Sequence, residues 1–228
     1  MKIIKKIVLS LLLLIFLIPS INYAYIFLSP KIKIWHPGET IIQYSNSEYE
    51  VFHNSKNSKY LNLEESKELL SAVDGENKYR DYAILTLFLN CGLRLSELVN
   101  INLNDFKDDI LIVTGKGNKE RVIYLNDACL SAVKNYLRVR PNDGVVDKKA
   151  LFLSNRGTRI SNKTVQWLVK KYIKTAGLDE TKYSVHKLRH TAATLMYKYA
   201  HTDLRTLQEI LGHNQLATTQ IYTHVDDE

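Results

Sequence analysis

Hydrophobic and polar positions follow two regimes along this 228-residue chain, and the change falls near residue 60. After the basic start MKIIKK, the 23 residues Ile7–Ser29 carry no charge and are apolar on all sides. The stretch reads as a membrane-spanning helix, or as a signal peptide whose apolar region is Ile7–Ile18. A cut after Ala24 would put Asn22 at the −3 position, where a small residue is expected, so the cleavage signal is poor. Residues 31–59 are irregular, with Pro37-Gly38 and the polar run HNSKNSK, and read as a linker. No internal repeat is visible.

From Tyr60 onward the spacing is that of a globular domain. NLEESKELLSAV places Asn62 as a cap, acidic residues in the first turn and apolar residues at helical intervals. NKYRDYAILTLFLNCG predicts a strongly apolar helix that Gly92 terminates, and RLSELVNI a short helix directly after it. DDILIVTGKGNKERVIYL predicts two strands joined by a Gly-rich turn at residues 115–118. Further helices are expected at 127–140, 161–176, 184–200 and 203–211, with a short strand around Leu151–Leu153. The predicted class is α+β: mainly helical, with a small antiparallel sheet.

Composition adds less. The formal net charge is +7, but residues 1–59 hold seven Lys against three Glu, leaving only +3 for the remaining 169 residues. A mildly basic body is compatible with a nucleic-acid partner without establishing one. Cys91 and Cys129 stand 38 residues apart in apolar runs with no CxxC, which points to buried free thiols rather than a disulfide framework or a zinc site.

Four polar stretches carry candidate chemistry. In LGHNQLATTQIYTHV, Gly212 is a helix stop and Asn214 can cap a new short helix through Tyr222. In one continuous helix nine positions turn about 900°, which would put His213 and Tyr222 on opposite faces; the break frees His213 to face the tyrosine. A helix-end cation and a half-buried packing tyrosine are the plainer alternative. SVHKLRH opens a helix at Ser184, and the i, i+3 spacing sets His186 and Arg189 on one face near a helix N-terminus, where anions are favoured. His190 completes H-x-x-x-H, but Lys187 stands where the zinc-protease motif requires Glu, so zinc is rejected. A solvated His-Arg face is the alternative for this helix taken alone. Arg94 lies just past a helix break, where a weak i, i+3 ion pair with Glu97 would be its ordinary role. Lys116 sits between two glycines at the hairpin tip, outside any phosphate-loop motif.

Taken together and in order, Arg in GLRLSEL, Lys in GKGNKER, HKLRH, LGH and a tyrosine nine residues on resemble the catalytic domain of the tyrosine recombinases, in particular the Xer type and related phage integrases. The resemblance spans Tyr60–Val225, 166 of the 228 residues. It implies a recombinase-type helical bundle over residues 60–228; the apolar segment at 1–30 and the linker at 31–59, read from composition, precede it. It further implies DNA cutting and rejoining through a 3′-phosphotyrosyl link with release of a 5′-hydroxyl. Tyr222 would be the nucleophile, His186 the base or proton relay, and Arg94 and Arg189 the clamp on the non-bridging oxygens. His213 would add a third donor, and Lys116 would protonate the departing 5′-oxygen. No metal or other cofactor is implied, because two guanidiniums and a lysine supply the countercharge. Lys119, Arg121, Arg156 and Arg159 are candidate contacts to DNA phosphates, with ordinary surface charge as the alternative; such contacts set affinity and salt dependence rather than sequence choice.

The implied partner is double-stranded DNA, with a homo- or hetero-tetramer on two duplexes, and the implied location is the cytoplasm and nucleoid. Two departures qualify the resemblance. The helical clamp domain that normally precedes the catalytic domain is replaced by the apolar segment and linker, and only six residues follow Tyr222. The competing expectations are a non-catalytic DNA-binding remnant and a membrane-tethered protein, held through residues 7–29, with a recombinase-like body.

Overall fold

A computed structural model describes residues 60–115, 117–200 and 202–212. The apolar segment, the linker, Lys116, His213 and the expected Asn214–Tyr222 helix lie outside the described residues. Among the described residues there are seven α-helices: α1 Leu63–Ser71, α2 Lys78–Cys91, α3 Leu95–Asn100, α4 Asp127–Val139, α5 Asn162–Thr175, α6 Val185–Tyr199 and α7 Leu204–Leu211. A 3-10 turn at Leu103–Asp105 leads into the strands β1 Phe106–Lys107, β2 Ile110–Thr114 and β3 Glu120–Tyr124. The fold is therefore mainly helical with one small antiparallel sheet, in the order β1-β2-β3.

The helix ends follow local chemistry. The Asn62 side chain accepts from the Glu65 backbone N–H, and the Glu65 carboxylate accepts from the Asn62 N–H, closing a capping box that starts α1. Asn126 caps α4 by accepting from the Cys129 N–H, and Ser161 caps α5 by accepting from the Thr164 N–H. Ser184 occupies the N-cap of α6, but its hydroxyl makes no capping bond. Gly92 and Gly212 end α2 and α7 in the left-handed conformation, with φ of +57° and +61°.

Helix α2 is the centre of the body. Eleven of its fourteen residues are buried, so its apolar pattern runs all round rather than along one stripe. It packs chiefly against α4 and α6. At its end the Cys91 and Cys129 sulfurs lie 3.8 Å apart as buried free thiols. The neighbouring Cys91 thiol and burial push the Cys129 thiol well above its usual range, which keeps it protonated.

The hairpin forms as its alternation predicts, with Val113 paired to Arg121 and Leu111 to Ile123. Cross-strand partners share a face, so Arg121 stands on the inner side of the sheet with Leu111, Val113 and Ile123. The short strand β1 was not legible in the sequence. The strand expected at Leu151–Leu153 is absent; only the isolated bridges Asn102↔Ala150 and Leu153↔Arg159 occur there. Two main-chain bonds remain, from the Leu151 N–H to Ile101 and from the Ile160 N–H to Phe152, and side chains supply the rest: Arg140 donates to the Ala150 and Leu151 carbonyls, Arg80 donates to the Leu153 carbonyl, and the Leu153 N–H donates to the Tyr136 hydroxyl. Among the described residues, no helix is long and apolar enough to cross a membrane.

Gly92 is also a point of close approach. A Cβ built there would come within 2.8 Å of Leu211 Cδ2 on α7. Gly92→Ala is expected to lower stability by about 2–3 kcal/mol in urea titration, combining left-handed strain with that clash. Gly75→Ala, where φ is +97° but the space is open, should cost only about 1 kcal/mol. Equal losses would mean that the approach of α7 contributes nothing.

Candidate active site

The end of α7 organises the site. The last carbonyls of a helix have no partner inside the helix and sit at the negative end of its dipole. Three consecutive ones, those of Ile210, Leu211 and Gly212, each accept from a different arginine. Arg121 Nε donates to Ile210 at 2.8 Å, Arg189 Nη2 to Leu211 at 2.6 Å and Arg94 Nη2 to Gly212 at 2.9 Å. Arg94 comes from the turn between α2 and α3, Arg121 from the inner face of β3 and Arg189 from the first turns of α6. Residues more than ninety positions apart in sequence thus converge on three adjacent peptide units.

Each arginine is held from a second side. Arg189 is buried, and its Nη1 donates to the carbonyl of Gly92. Arg94 and Arg121 share Glu97, whose side chain is 1 % exposed. Arg121 grips that carboxylate with both ends of its fork, Nη1 to Oε1 at 2.7 Å and Nη2 to Oε2 at 2.9 Å. Arg94 adds its Nη1 to Oε1 at 2.8 Å and its backbone N–H to Oε2 at 2.8 Å. The i, i+3 pair foreseen as a weak surface contact is therefore half of a buried cluster with two guanidiniums on one carboxylate. Burial alone would raise the Glu97 pKa, but the donors from Arg121 and Arg94 outweigh it and lower it from 4.5 to about 2.

Of the six positions expected to act on phosphate, Arg94, His186 and Arg189 are described. The structure brings Arg94 and Arg189 to neighbouring carbonyls of one helix end. His186 lies exposed in the first turn of α6, one turn before the buried Arg189. Lys116, His213 and Tyr222 lie outside the described residues, although Gly115 and Gly212, their sequence neighbours, both border this cluster. A Cβ on Gly115 would stand 3.4 Å from Glu97 Oε1, and one on Gly212 3.3 Å from Arg121 Cδ. His190 packs edge-on to Tyr60, with ring centroids 6.2 Å apart.

The four expected phosphate contacts divide. Lys119 and Arg156 are exposed. Arg121 is occupied as described, and its side chain is only 13 % exposed. Arg159 donates to Asp147, to the Val99 and Ile101 carbonyls and to Asn102, so its guanidinium joins the α3 region to the 147–159 loop. Arg156 and Arg159 line a cavity of about 610 Å³ between the starts of α2 and α5, with Arg80, Trp167 and Lys171, and none of Arg94, His186 or Arg189 borders it. Sequence reasoning missed Glu97 as a buried hub and Arg121 as an internal ligand. The signal was available: period-2 alternation sets Arg121 in line with Ile123, on the side that faces the core.

The Glu97 pKa is depressed on folding, so its stabilising contribution is complete above the unfolded value of 4.5 and is lost as pH falls towards about 2. Glu97→Gln is expected to lower stability at neutral pH by about 3 kcal/mol, because it leaves two guanidiniums short of countercharge. It should also flatten the loss of stability between pH 4.5 and about 2. Urea midpoints of both proteins across that range check this; parallel curves would remove Glu97 from the account.

Comparison with known proteins identifies the family. Residues 59–228 match the model of the phage integrase family. Tyrosine recombinase XerC of Caldanaerobacter subterraneus subsp. tengcongensis is 69% identical over 168 residues, covering 74% of this chain and 48% of the relative. Tyrosine recombinase XerC of Thermodesulfovibrio yellowstonii is 42% identical over 178 residues, covering 74% and 58%. The crystal structure of XerA recombinase superposes with a TM-score of 0.66 at 35% identity, covering 74% of this chain and 61% of that one. A XerH site-specific recombinase bound to palindromic difH substrate, in a post-cleavage complex, gives 0.65 at 30% identity, covering 73% and 50%. The chain spans about half the length of the curated relatives it matches. By the match over residues 59–228, and by the fold that accompanies it, the chain belongs to the phage integrase family.

Proposed function

We propose that residues 60–228 form the catalytic body of a site-specific recombinase that cuts and rejoins DNA strands through a covalent tyrosine intermediate, with residues 1–30 and 31–59 as a preceding apolar segment and linker. The observation that carries this reading is the pair Arg94 and Arg189 on adjacent carbonyls at the end of α7. Two fixed guanidiniums set side by side fit the non-bridging oxygens of one phosphodiester, and they hold the segment that leads to His213 and Tyr222.

The proposed step is an in-line displacement at phosphorus. The Tyr222 oxygen attacks, the P–O3′ bond stays intact, the bond from phosphorus to O5′ breaks, and a 3′-phosphotyrosyl link forms. A phenol has a pKa near 10 and needs help in losing its proton, which His186 takes. Lys116 gives a proton to the departing O5′ as its charge develops. Arg94, Arg189 and His213 donate to the non-bridging oxygens, which gain negative charge in the transition state. The phosphotyrosyl bond conserves the energy of the broken one, so a 5′-hydroxyl of a second strand reverses the step without ATP. The 69%-identical XerC and the substrate-bound XerH support double-stranded DNA as the partner; action at the nucleoid and a tetramer on two duplexes belong to the proposal.

A nicked suicide duplex that loses its 5′-hydroxyl fragment after cleavage tests the reading. The protein is expected to form an adduct that survives denaturing electrophoresis, and Tyr222→Phe to abolish it. Arg94→Ala and Arg189→Ala should each slow adduct formation by about 10²–10³. Salt-sensitive DNA binding without any adduct would leave a binding protein and overturn the proposal.

A further inference from the structure

Arg121 meets every requirement of a residue that acts through others. It stands on the inner face of β3, paired with Val113, where alternation would otherwise place an apolar side chain. Nε, Nη1 and Nη2 are all engaged inside the protein, on Ile210 and on both oxygens of Glu97. Gly212 lies against its side chain, with ideal-Cβ distances of 3.3 Å to both Cδ and Nη1, and Gly115 borders the same guanidinium at 3.9 Å from Nη1. One planar group therefore touches the three pieces that the proposed chemistry requires together. These are Glu97, which holds Arg94; the end of α7, which leads to His213 and Tyr222; and Gly115 at the hairpin turn, next to Lys116.

Resting on the function proposed above, we propose that Arg121 is a positioning residue for phosphodiester cleavage, setting Arg94 through Glu97 and the tail through Ile210, and not a contact to the DNA backbone. A guanidinium is needed because only a planar fork can meet both carboxylate oxygens while a third N–H reaches a carbonyl; a lysine ammonium is a single point. The groups that face Glu97 are Arg94 from the turn before α3 and Arg121 from β3. Removing Arg121 leaves Arg94 alone against the burial of the carboxylate. The Glu97 pKa then rises, and protonation releases Arg94 Nη1 as pH falls.

The test uses the full chain and the nicked suicide duplex, with single-turnover adduct formation at saturating DNA measured against pH and DNA affinity measured against salt. Arg121→Ala is expected to slow adduct formation at least about tenfold. Its DNA Kd should stay within about threefold and its salt slope should be unchanged. The acid limb of its pH–rate profile should move to higher pH than that of the wild-type protein. Should Arg121→Ala fail to fold, Arg121→Lys, which keeps the charge but loses the fork, should show the same changes to a smaller degree. An unchanged rate with weaker binding and a shallower salt slope would make Arg121 a phosphate contact and overturn the proposal. A slower rate with an unmoved acid limb would reduce it to a fold-stabilising residue and overturn it equally. Absence of an adduct from the wild-type protein is a different failure: it removes the recombinase reading itself, and this proposal with it.

Discussion

A buried helix end must find donors for its last carbonyls, and in this protein the need is met by arginines. Three peptide oxygens on the closing turn of α7 receive three guanidiniums from three separate parts of the chain. The helix dipole makes the arrangement favourable in a second way, since its C-terminal end attracts cations. Local satisfaction of a backbone and long-range assembly of a site become one event. The turn after α2, the inner face of the sheet and the start of α6 are brought together because each supplies a donor that the same helix end lacks.

Three cations close together would repel without an anion among them, and Glu97 supplies it. Its position is dictated from two directions, by the helix start that it shares with Arg94 and by the fork of Arg121. The carboxylate is almost wholly shielded from water, so its charge is affordable only because both oxygens are filled with donors. Arg189 needs no such partner nearby, since its second side is met by the Gly92 carbonyl at the end of α2. Two helix ends and one carboxylate thus neutralise what would otherwise be an unstable concentration of positive charge.

Much of this was legible in the sequence, for reasons that can be named. Helix ends at Gly92 and Gly212, the cap at Asn62 and the hairpin around residues 115–118 are local decisions, written by residue types within a few positions of each other. Arg94 and Arg189 stood out because each lies beside a helix boundary. Arg121 and Arg159 were read as candidate phosphate contacts, with surface charge as the alternative; alternation with Ile123 could have turned Arg121 inward, but nothing local names what either residue meets, since their partners lie up to 89 and 60 positions away. The strand expected at Leu151–Leu153 failed for a related reason. Its apolar run is buried as expected, but Arg140, Arg80 and Tyr136 satisfy its backbone from a distance, and no propensity scale can see them.

The hold on α7 is made to main-chain oxygens, and that has a consequence for how such a protein can change. A peptide carbonyl is the same whatever side chain is attached, so the grip is blind to the identities of residues 210 and 211. Variation at Ile210 leaves its hydrogen bond in place, whereas Leu211 is fixed by burial and by its approach to Gly92. The receiving side has no such freedom, because a guanidinium has no equivalent among the other side chains. As far as the hydrogen bonds alone decide, tolerance is lopsided across a single contact, wide on the side that offers carbonyls and narrow on the residues that hold them.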